Sequence, residues 1–146
     1  TVDHNTFFCA GINAVYLAGD EKAAFTVTNN IFEDITSPAK RHPAVKIEHM
    51  NPSVKCDYNL HFLRECKDQH VFGTGHPFRH THDQDARTLE DAQKRYGVEK
   101  NGRFGDPKFR NPLKGDYRLG EGSAGLGMAS DGGAVGMRPP CEAFSQ

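Results

Sequence analysis

Two short segments of this sequence concentrate side chains that could do chemistry. The first supplies cations, an imidazole and a carboxylate: Arg41, His42, Lys46 and Glu48. A cation can neutralise a substrate carboxylate and so ease removal of a neighbouring proton, which a basic side chain then accepts. A carboxylate such as Glu48 could instead serve in glycoside hydrolysis, but that reaction normally needs a second carboxylate, for which the sequence offers no clear candidate. Lys46 and Glu48 also alternate with apolar residues, so they equally fit the solvent-facing side of a half-buried strand.

The second segment is rich in imidazole, with His76, His80 and His82 close together and Asp83 and Asp85 beside them. Imidazole suits zinc or copper. The spacing matches no structural zinc pattern, however, and a polar segment with several histidines is usually an ordinary loop. We therefore predict no cofactor, and a metal bound by these histidines is the alternative.

Four cysteines could also be reactive or paired: Cys9, Cys56, Cys66 and Cys141. They lack the paired short spacings of a zinc site. An even number permits disulfides, but four cysteines allow three pairings and the sequence does not choose among them. For Cys56, a role as a small buried apolar residue is at least as well supported.

The composition excludes two classes of partner. Eighteen Lys and Arg nearly balance nineteen Asp and Glu, which leaves a net charge of −1 over 146 residues. This balance gives no long-range field to attract nucleic acid. No apolar run approaches the roughly 20 residues that a membrane-spanning helix needs. We therefore predict neither a nucleic-acid partner nor a membrane span.

A repeat organises the first half of the chain. Three segments align around Asn5, Asn30 and Asn59, which lie about 25 to 30 residues apart, as in one turn of a wide coil. Asn accepts left-handed backbone angles better than most residues do. We predict that these three residues occupy equivalent tight bends and that their side chains hydrogen-bond in a stack along a common axis.

Alternating apolar residues predict three strands for each turn of the coil. One strand precedes each bend, a shorter one follows it, and a third lies further upstream, at residues 14–17 and 44–48. Phe7, Phe8, Phe32 and Phe62 should stack as core. An antiparallel sandwich is the alternative, but its turns would recur every 8–12 residues. The pattern favours an all-β parallel β-helix of which the last two to three rungs are present, with an upstream sheet edge that a partner must cover.

The repeat fades near residue 73. Thr88 can cap a short α-helix over about residues 88–96, which Gly97 would end. The rest is rich in Gly and Pro and is expected to form an irregular cap. We therefore assign residues 1–72 to the rungs, and residues 73–146 to a loop, the short helix and the C-terminal cap of the same domain.

A fixed order of short motifs accompanies this pattern: Asp57-Tyr58-Asn59-Leu60, the helix, Asp106-Pro107-Lys108-Phe109, Asp116-Tyr117-Arg118-Leu119, Gly122-Ser123-Ala124 and Asp131-Gly132-Gly133-Ala134-Val135-Gly136. This order resembles the C-terminal region of secreted bacterial right-handed parallel β-helix proteins. These form the pectate-lyase-like group, which includes polysaccharide lyases and glycoside hydrolases. The resemblance covers nearly the whole chain, with two departures. The usual Ser-Pro-Ala is Ser123-Ala124-Gly125 here, and the Trp often found on the short helix is missing.

The resemblance implies a groove on the first sheet in which Tyr16 would meet a sugar ring, beside Lys46 and Glu48. The loop 34–43, with Arg41 and His42, would form a wall of this groove. It also implies secretion, a polysaccharide partner and, by analogy alone, calcium. We therefore predict the C-terminal part of a carbohydrate-active protein, a lyase or hydrolase whose active centre could lie on upstream rungs. Those rungs would belong to the same gene product, or another chain would take their place. The alternative is a non-catalytic scaffold or a surface or carbohydrate-binding module, because a shared fold does not transfer an activity.

Overall fold

The computed structural model describes residues 1–8, 13–34, 42–64, 70–76 and 82–138. Over these residues the protein is mostly β, with one α-helix, α1 (Leu89–Tyr96), and 3-10 turns at His82–Gln84 and Pro112–Lys114. The strands are β1 (Val2–Asp3), β2 (Thr6–Phe8), β3 (Val15–Leu17), β4 (Phe25–Thr28), β5 (Ile31–Glu33), β6 (Val45–Ile47), β7 (Val54–Asp57), β8 (Leu60–Phe62), β9 (Phe72–Thr74), β10 (Asp85–Ala86), β11 (Arg103–Phe104), β12 (Phe109–Asn111) and β13 (Asp116–Leu119).

Most of these strands belong to three sheets built from parallel pairs. Sheet A has the order β1-β4-β7, sheet B the order β11-β8-β5-β2, and sheet C the order β10-β9-β6-β3. Successive strands of the chain lie in different sheets, and β6, β7 and β8 pair in register with β3, β4 and β5. The β9–β10 pair is antiparallel. The predicted strands and their parallel pairing are confirmed, and the sandwich alternative, which requires antiparallel neighbours, does not fit.

Alternation along the strands places one side of each sheet in a shared apolar core. Val27, Val45 and Ile47 are fully buried there. Within sheet B the rings of Phe7 and Phe32 stack at 5.3 Å between centroids, and His61 continues the row at 5.2 Å. The prediction for the other two phenylalanines was wrong. Phe8 and Phe62 flank Glu33 in the neighbouring register row, and therefore project from the opposite side of the sheet.

The predicted asparagine stack is confirmed. Asn5 Nδ2 donates to Asn30 Oδ1 at 3.3 Å, and Asn30 Nδ2 donates to Asn59 Oδ1 at 3.0 Å. The backbone N–H of Asn5 and that of Asn30 donate to the same two oxygens. The reason given for asparagine at these positions needs correction, because the left-handed residue is the one before each stacked Asn. His4, Asn29 and Tyr58 have φ of 53°, 58° and 57°. The stacked asparagines are selected by their amides, which join neighbouring turns.

The C-terminal part begins as predicted, with a capped helix. Thr88 Oγ1 accepts a hydrogen bond from the Asp91 N–H at 3.1 Å, and the left-handed Gly97 ends α1. Beyond the helix, β11 pairs parallel with β8, and the β12–β13 hairpin packs with a second apolar cluster that covers the outer face of sheet B. The assigned boundary at residue 72 falls on the first residue of β9. Among the described residues no helix has the length and hydropathy to cross a bilayer.

Candidate functional site

The predicted groove residues lie on the outer face of sheet C. Tyr16, Lys46 and Gly73 occupy one register row across β3, β6 and β9, and Asp85 of β10 pairs with Gly73. Their neighbours along the strands point into the core, so this row projects outward. The structure therefore brings Tyr16 and Lys46 together on one face, as predicted.

Lys46 on this face is nevertheless buried. It is 5% exposed, and its Nζ lies 3.7 Å from Oδ1 of Asp85, which is also 5% exposed. Gly73 makes the contact possible, because a Cβ at that position would collide with the Asp85 carboxylate and with Pro43. The positive charge of Lys46 is thus compensated inside the protein. A buried pair of this kind adds little net stability, but removing one partner leaves a costly unpaired charge.

Glu48 lies just beyond the end of β6, and its backbone continues the pairing of the strand. Its N–H donates to Leu17 O at 3.0 Å, and its own carbonyl accepts from the Gly75 N–H at 3.2 Å. The half-buried side chain borders a cleft of about 480 Å³, which lies at the connections that lead from sheet C to sheet A. We call this the carboxylate cleft; it is lined by Glu21, Glu48, His49, Met50, Asn51, Pro52, Thr74, Gly75 and Gln84.

Glu21 is the residue that the sequence-based reasoning missed. It lies on the exposed turn between β3 and β4, which Asp20 closes by accepting hydrogen bonds from the N–H groups of Lys22 and Ala23. Glu48 lies in the connection between β6 and β7, the strands that pair in register with β3 and β4. An alignment of these two connections could have placed the two residues in one cleft. Their unequal lengths, residues 18–24 and 48–53, obscure that alignment.

Tyr16 lies close enough to Glu48 for their charges to interact. Burial and then the negative charge of Glu48 raise the pKa of the Tyr16 hydroxyl above its usual value. The phenol therefore stays protonated at neutral pH and can donate a hydrogen bond. The cleft and its border thus offer two carboxylate acceptors, a phenol donor and the amide of Gln84, a set suited to a hydroxylated ligand.

A second group of ionisable side chains is buried at the end of the asparagine stack. Glu99 is fully buried, and its Oε1 accepts from Asn59 Nδ2 at 2.8 Å and from Cys56 Sγ at 3.2 Å. His61 Nε2 lies 3.2 Å from the same oxygen. Cys56 is a free buried thiol whose pKa is raised well above its usual value by burial and by the charge of Glu99. These side chains are buried and bonded to one another at the end of the asparagine stack, so we assign them to the fold.

The remaining predicted site residues are only partly described. Arg41, His80 and the cysteines Cys9, Cys66 and Cys141 lie outside the described residues, whereas His42 is half-buried two residues before Ala44 and His82 begins a 3-10 turn. Within the described ranges, no group of three or more His, Cys, Asp or Glu is arranged to hold a metal ion. The calcium implied by the resemblance and the His76, His80 and His82 alternative both stay untested predictions.

Comparison with known proteins does not narrow the function. The chain matches no protein-family model, and searches of curated proteins and of solved structures give no significant match. The residues of the site are therefore the basis for a functional assignment.

Proposed function

We propose that this chain is the C-terminal end of a right-handed parallel β-helix of the pectate-lyase-like kind, and that its carboxylate cleft binds and hydrolyses a polysaccharide. Three features support the fold: successive strands in three sheets, registered parallel pairs, and the stacked asparagines. Secretion is part of the proposal and has the sequence resemblance as its support.

The observation that carries the proposal is the presence of two carboxylates in one cleft. Hydrolysis of a glycosidic bond needs one carboxyl group to protonate the leaving oxygen and another to act as base or nucleophile. Glu48 and Glu21 supply this pair, and Tyr16 at the border offers an apolar ring and a hydroxyl donor to the sugar. The volume of about 480 Å³ is within the usual range for small-ligand sites.

Hydrolysis of a neutral glycan is favoured over elimination from a uronate polymer. Elimination needs a cation that neutralises the uronate carboxylate. Among the described residues that line the carboxylate cleft there is no Lys or Arg, and the nearby Lys46 is already paired with Asp85. A uronate would instead meet the negative charges of Glu21 and Glu48.

An upstream partner belongs to the same proposal. In the stack, each Asn side-chain oxygen accepts from the corner one turn upstream. Asn5 is exposed at the upstream end, and within the described residues no donor reaches its Oδ1. Further rungs of the same gene product, or another chain, would supply that donor and cover the edges of β1, β2 and β3.

The alternative function is a non-catalytic carbohydrate-binding module or scaffold. The observation that favours it is the openness of the cleft, because Glu21 lies on an exposed turn and no described residue covers it. Binding by hydrogen bonds to hydroxyl groups would need the same lining without any transfer of a proton.

The test is an assay of a panel of neutral and uronate polysaccharides for new reducing ends, for unsaturated products and for binding. We expect reducing ends from a neutral glycan, and Glu48→Gln and Glu21→Gln should each lower the rate by roughly 10²–10⁴-fold while binding persists. Glu121→Gln, an exposed carboxylate beyond β13, is the matched control and should keep full activity. Binding without cleavage would establish the scaffold alternative, and unsaturated products would establish a lyase. If no glycan is bound or cleaved, the proposed function is wrong.

A further inference from the structure

A second cleft, of about 350 Å³, shares no lining residue with the carboxylate cleft. It is formed between the outer face of β7 and the segment that follows α1. Lys55 and Asp57 project into this region because they alternate with the buried Val54 and Cys56. Lys100 approaches from the other wall. We call this region the lysine cleft.

The charges of the lysine cleft do not balance one another. The carboxylate of Asp57 already accepts three hydrogen bonds, since its Oδ1 accepts from the N–H groups of Asn101 at 2.6 Å and Tyr58 at 2.8 Å. Its Oδ2 accepts from Asn101 Nδ2 at 2.8 Å. Over the part of the chain that the structure describes, neither Lys55 nor Lys100 forms an ion pair. The lining of the cleft therefore has two ammonium groups and one carboxylate, which leaves a net positive charge, and the carboxylate is already hydrogen-bonded to amide donors.

Buried contacts fix the position of the segment that carries Lys100. On one side of it, the Glu99 N–H donates to Cys56 O at 2.7 Å and the Glu99 carbonyl accepts from Gln93 Nε2 at 2.8 Å. On the other side, Asn101 is held by Asp57. The backbone on both sides of Lys100 is therefore anchored before any ligand arrives, which lowers the ordering cost of binding.

Two aromatic rings complete the lining. Tyr58 is held at a left-handed corner with φ of 57°, and Tyr96 is fixed by packing on Phe72, with 5.3 Å between the ring centroids. The Tyr96 hydroxyl also donates to Gln84 O at 2.5 Å. The Tyr96 ring, held in this way, offers an apolar surface to a ligand at little entropic cost, and the Tyr58 side chain lines the cleft from its backbone corner. The volume is near the lower end of the range for small-ligand sites and suits a ligand with one ring.

We propose that the lysine cleft binds the anionic group of a one-ring ligand. The ammonium groups of Lys55 and Lys100 hold the carboxylate or phosphate, and Tyr58 and Tyr96 flank the ring. The site is independent of the carboxylate cleft and of its proposed activity, because no lining residue is shared between the two.

The test is a titration of the intact chain with glucuronate, glucose 6-phosphate and glucose, followed by calorimetry and by amide chemical shifts. At least one of the two anions should bind, and neutral glucose should bind on the order of tenfold more weakly or not at all, since one charge-assisted hydrogen bond contributes about this factor. Tighter binding of glucuronate would indicate a carboxylate ligand, and tighter binding of glucose 6-phosphate would indicate a phosphate ligand. Equal binding of glucose, or no binding of either anion at millimolar concentration, would overturn the proposal.

Matched variants locate the binding site. Lys55→Gln and Lys100→Gln should each weaken anion binding about tenfold, whereas Lys114→Gln, an exposed lysine in the 3-10 turn of the β12–β13 hairpin, should not change it. Both lysines are exposed, so thermal unfolding should stay near that of the wild type. Tyr58→Asn removes the ring but keeps a residue that tolerates the left-handed corner, and should weaken all bound ligands alike. Anion binding that survives both lysine substitutions would place the ligand elsewhere.

Discussion

The chain passes from one sheet to the next in two different ways at the two corners that the structure describes. Between sheets A and B the chain turns with two residues each time: His4-Asn5, Asn29-Asn30 and Tyr58-Asn59. This closed corner buries Asn30 and Asn59 completely. Between sheets C and A the chain takes the longer connections 18–24 and 48–53, which form an open corner whose side chains line the carboxylate cleft.

The difference shows how stability and chemistry are divided along a repeated fold. A buried amide must have its hydrogen bonds satisfied, so the closed corner fixes the register of neighbouring turns. The open corner contains a single comparable contact among the described residues, from Asn51 Nδ2 to Ala23 O at 2.9 Å. Its other polar side chains are therefore available to a ligand, as is usual for loops carried on a rigid scaffold.

The largest effect should come from breaking the closed corner. Asn59→Ala removes the acceptor of the Asn30 N–H and of one Asn30 Nδ2 hydrogen, and the donor to Val27 O and to Glu99 Oε1. The Asn30 N–H then loses its acceptor at a buried position, whereas Asn30 Nδ2 keeps Val2 O and Glu99 Oε1 keeps Cys56 and His61. We expect a loss of roughly 3–4 kcal/mol in the free energy of unfolding. Urea denaturation followed by circular dichroism measures it. A loss below 1 kcal/mol would mean that the stacked amides do not stabilise the corner.

The closed corner also shows what the sequence could and could not predict. The recurrence of Asn5, Asn30 and Asn59 between apolar strands was sufficient to predict the stack. The end of the stack was not predictable, because its last acceptor is Glu99 and the residue that pairs at that corner is Gly102. A Cβ on Gly102 would lie 2.5 Å from Glu99 Oε2, so the carboxylate fills the place of a fourth asparagine. No local pattern marks a glutamate with φ of 55° for this role.

The sequence predicted on which face of the sheet the candidate site lies, but not which residues pair with one another there. Strand alternation correctly placed Lys46 on the outer side of sheet C, and the family resemblance placed Tyr16 on the same face. The burial of Lys46 depends on Asp85, which is distant in sequence and reaches Lys46 only because Gly73 has no side chain. Glu21 escaped notice because connections of unequal length have no fixed alignment. The face on which a strand residue lies can be inferred from the few residues around it. Contacts made by connections and by the cap involve residues distant in sequence, and short patterns do not reveal them.

A smaller effect should follow from the equivalent change at the open corner. Asn51→Ala removes the Asn51–Ala23 hydrogen bond and the acceptor of the Ser53 N–H, both at half-buried or exposed positions where water can replace them. We expect a loss of about 1 kcal/mol, measured by the same denaturation experiment. Both variants replace Asn by Ala, so the difference between their losses of stability measures the effect of the corner in which the Asn lies. Equal losses would remove the distinction between the two corners.

The smallest effect is expected at Asp3, which lies on the exposed rim of the closed corner, and this effect depends on pH. Asp3 Oδ1 accepts from Thr28 Oγ1 and Asn29 Nδ2, each at 2.8 Å, and His4 contacts its other oxygen. Burial raises the pKa of Asp3, but the hydrogen bonds with His4, Asn29 and Thr28 together outweigh it, so the pKa lies below the ordinary 3.8.

A carboxyl group whose pKa is lowered by folding stabilises the protein above its unfolded-state pKa and loses that contribution as the pH falls through the folded value. Wild type should therefore be more stable than Asp3→Asn at neutral pH, by less than about 1 kcal/mol because solvent screens this exposed group. The difference should shrink below pH 3.8. Thermal unfolding of both proteins between pH 7 and pH 2.5 measures it. A difference that grows as the pH falls would mean that Asp3 stabilises the corner in its protonated form, and that the rim does not share the hydrogen-bonded order of the buried stack.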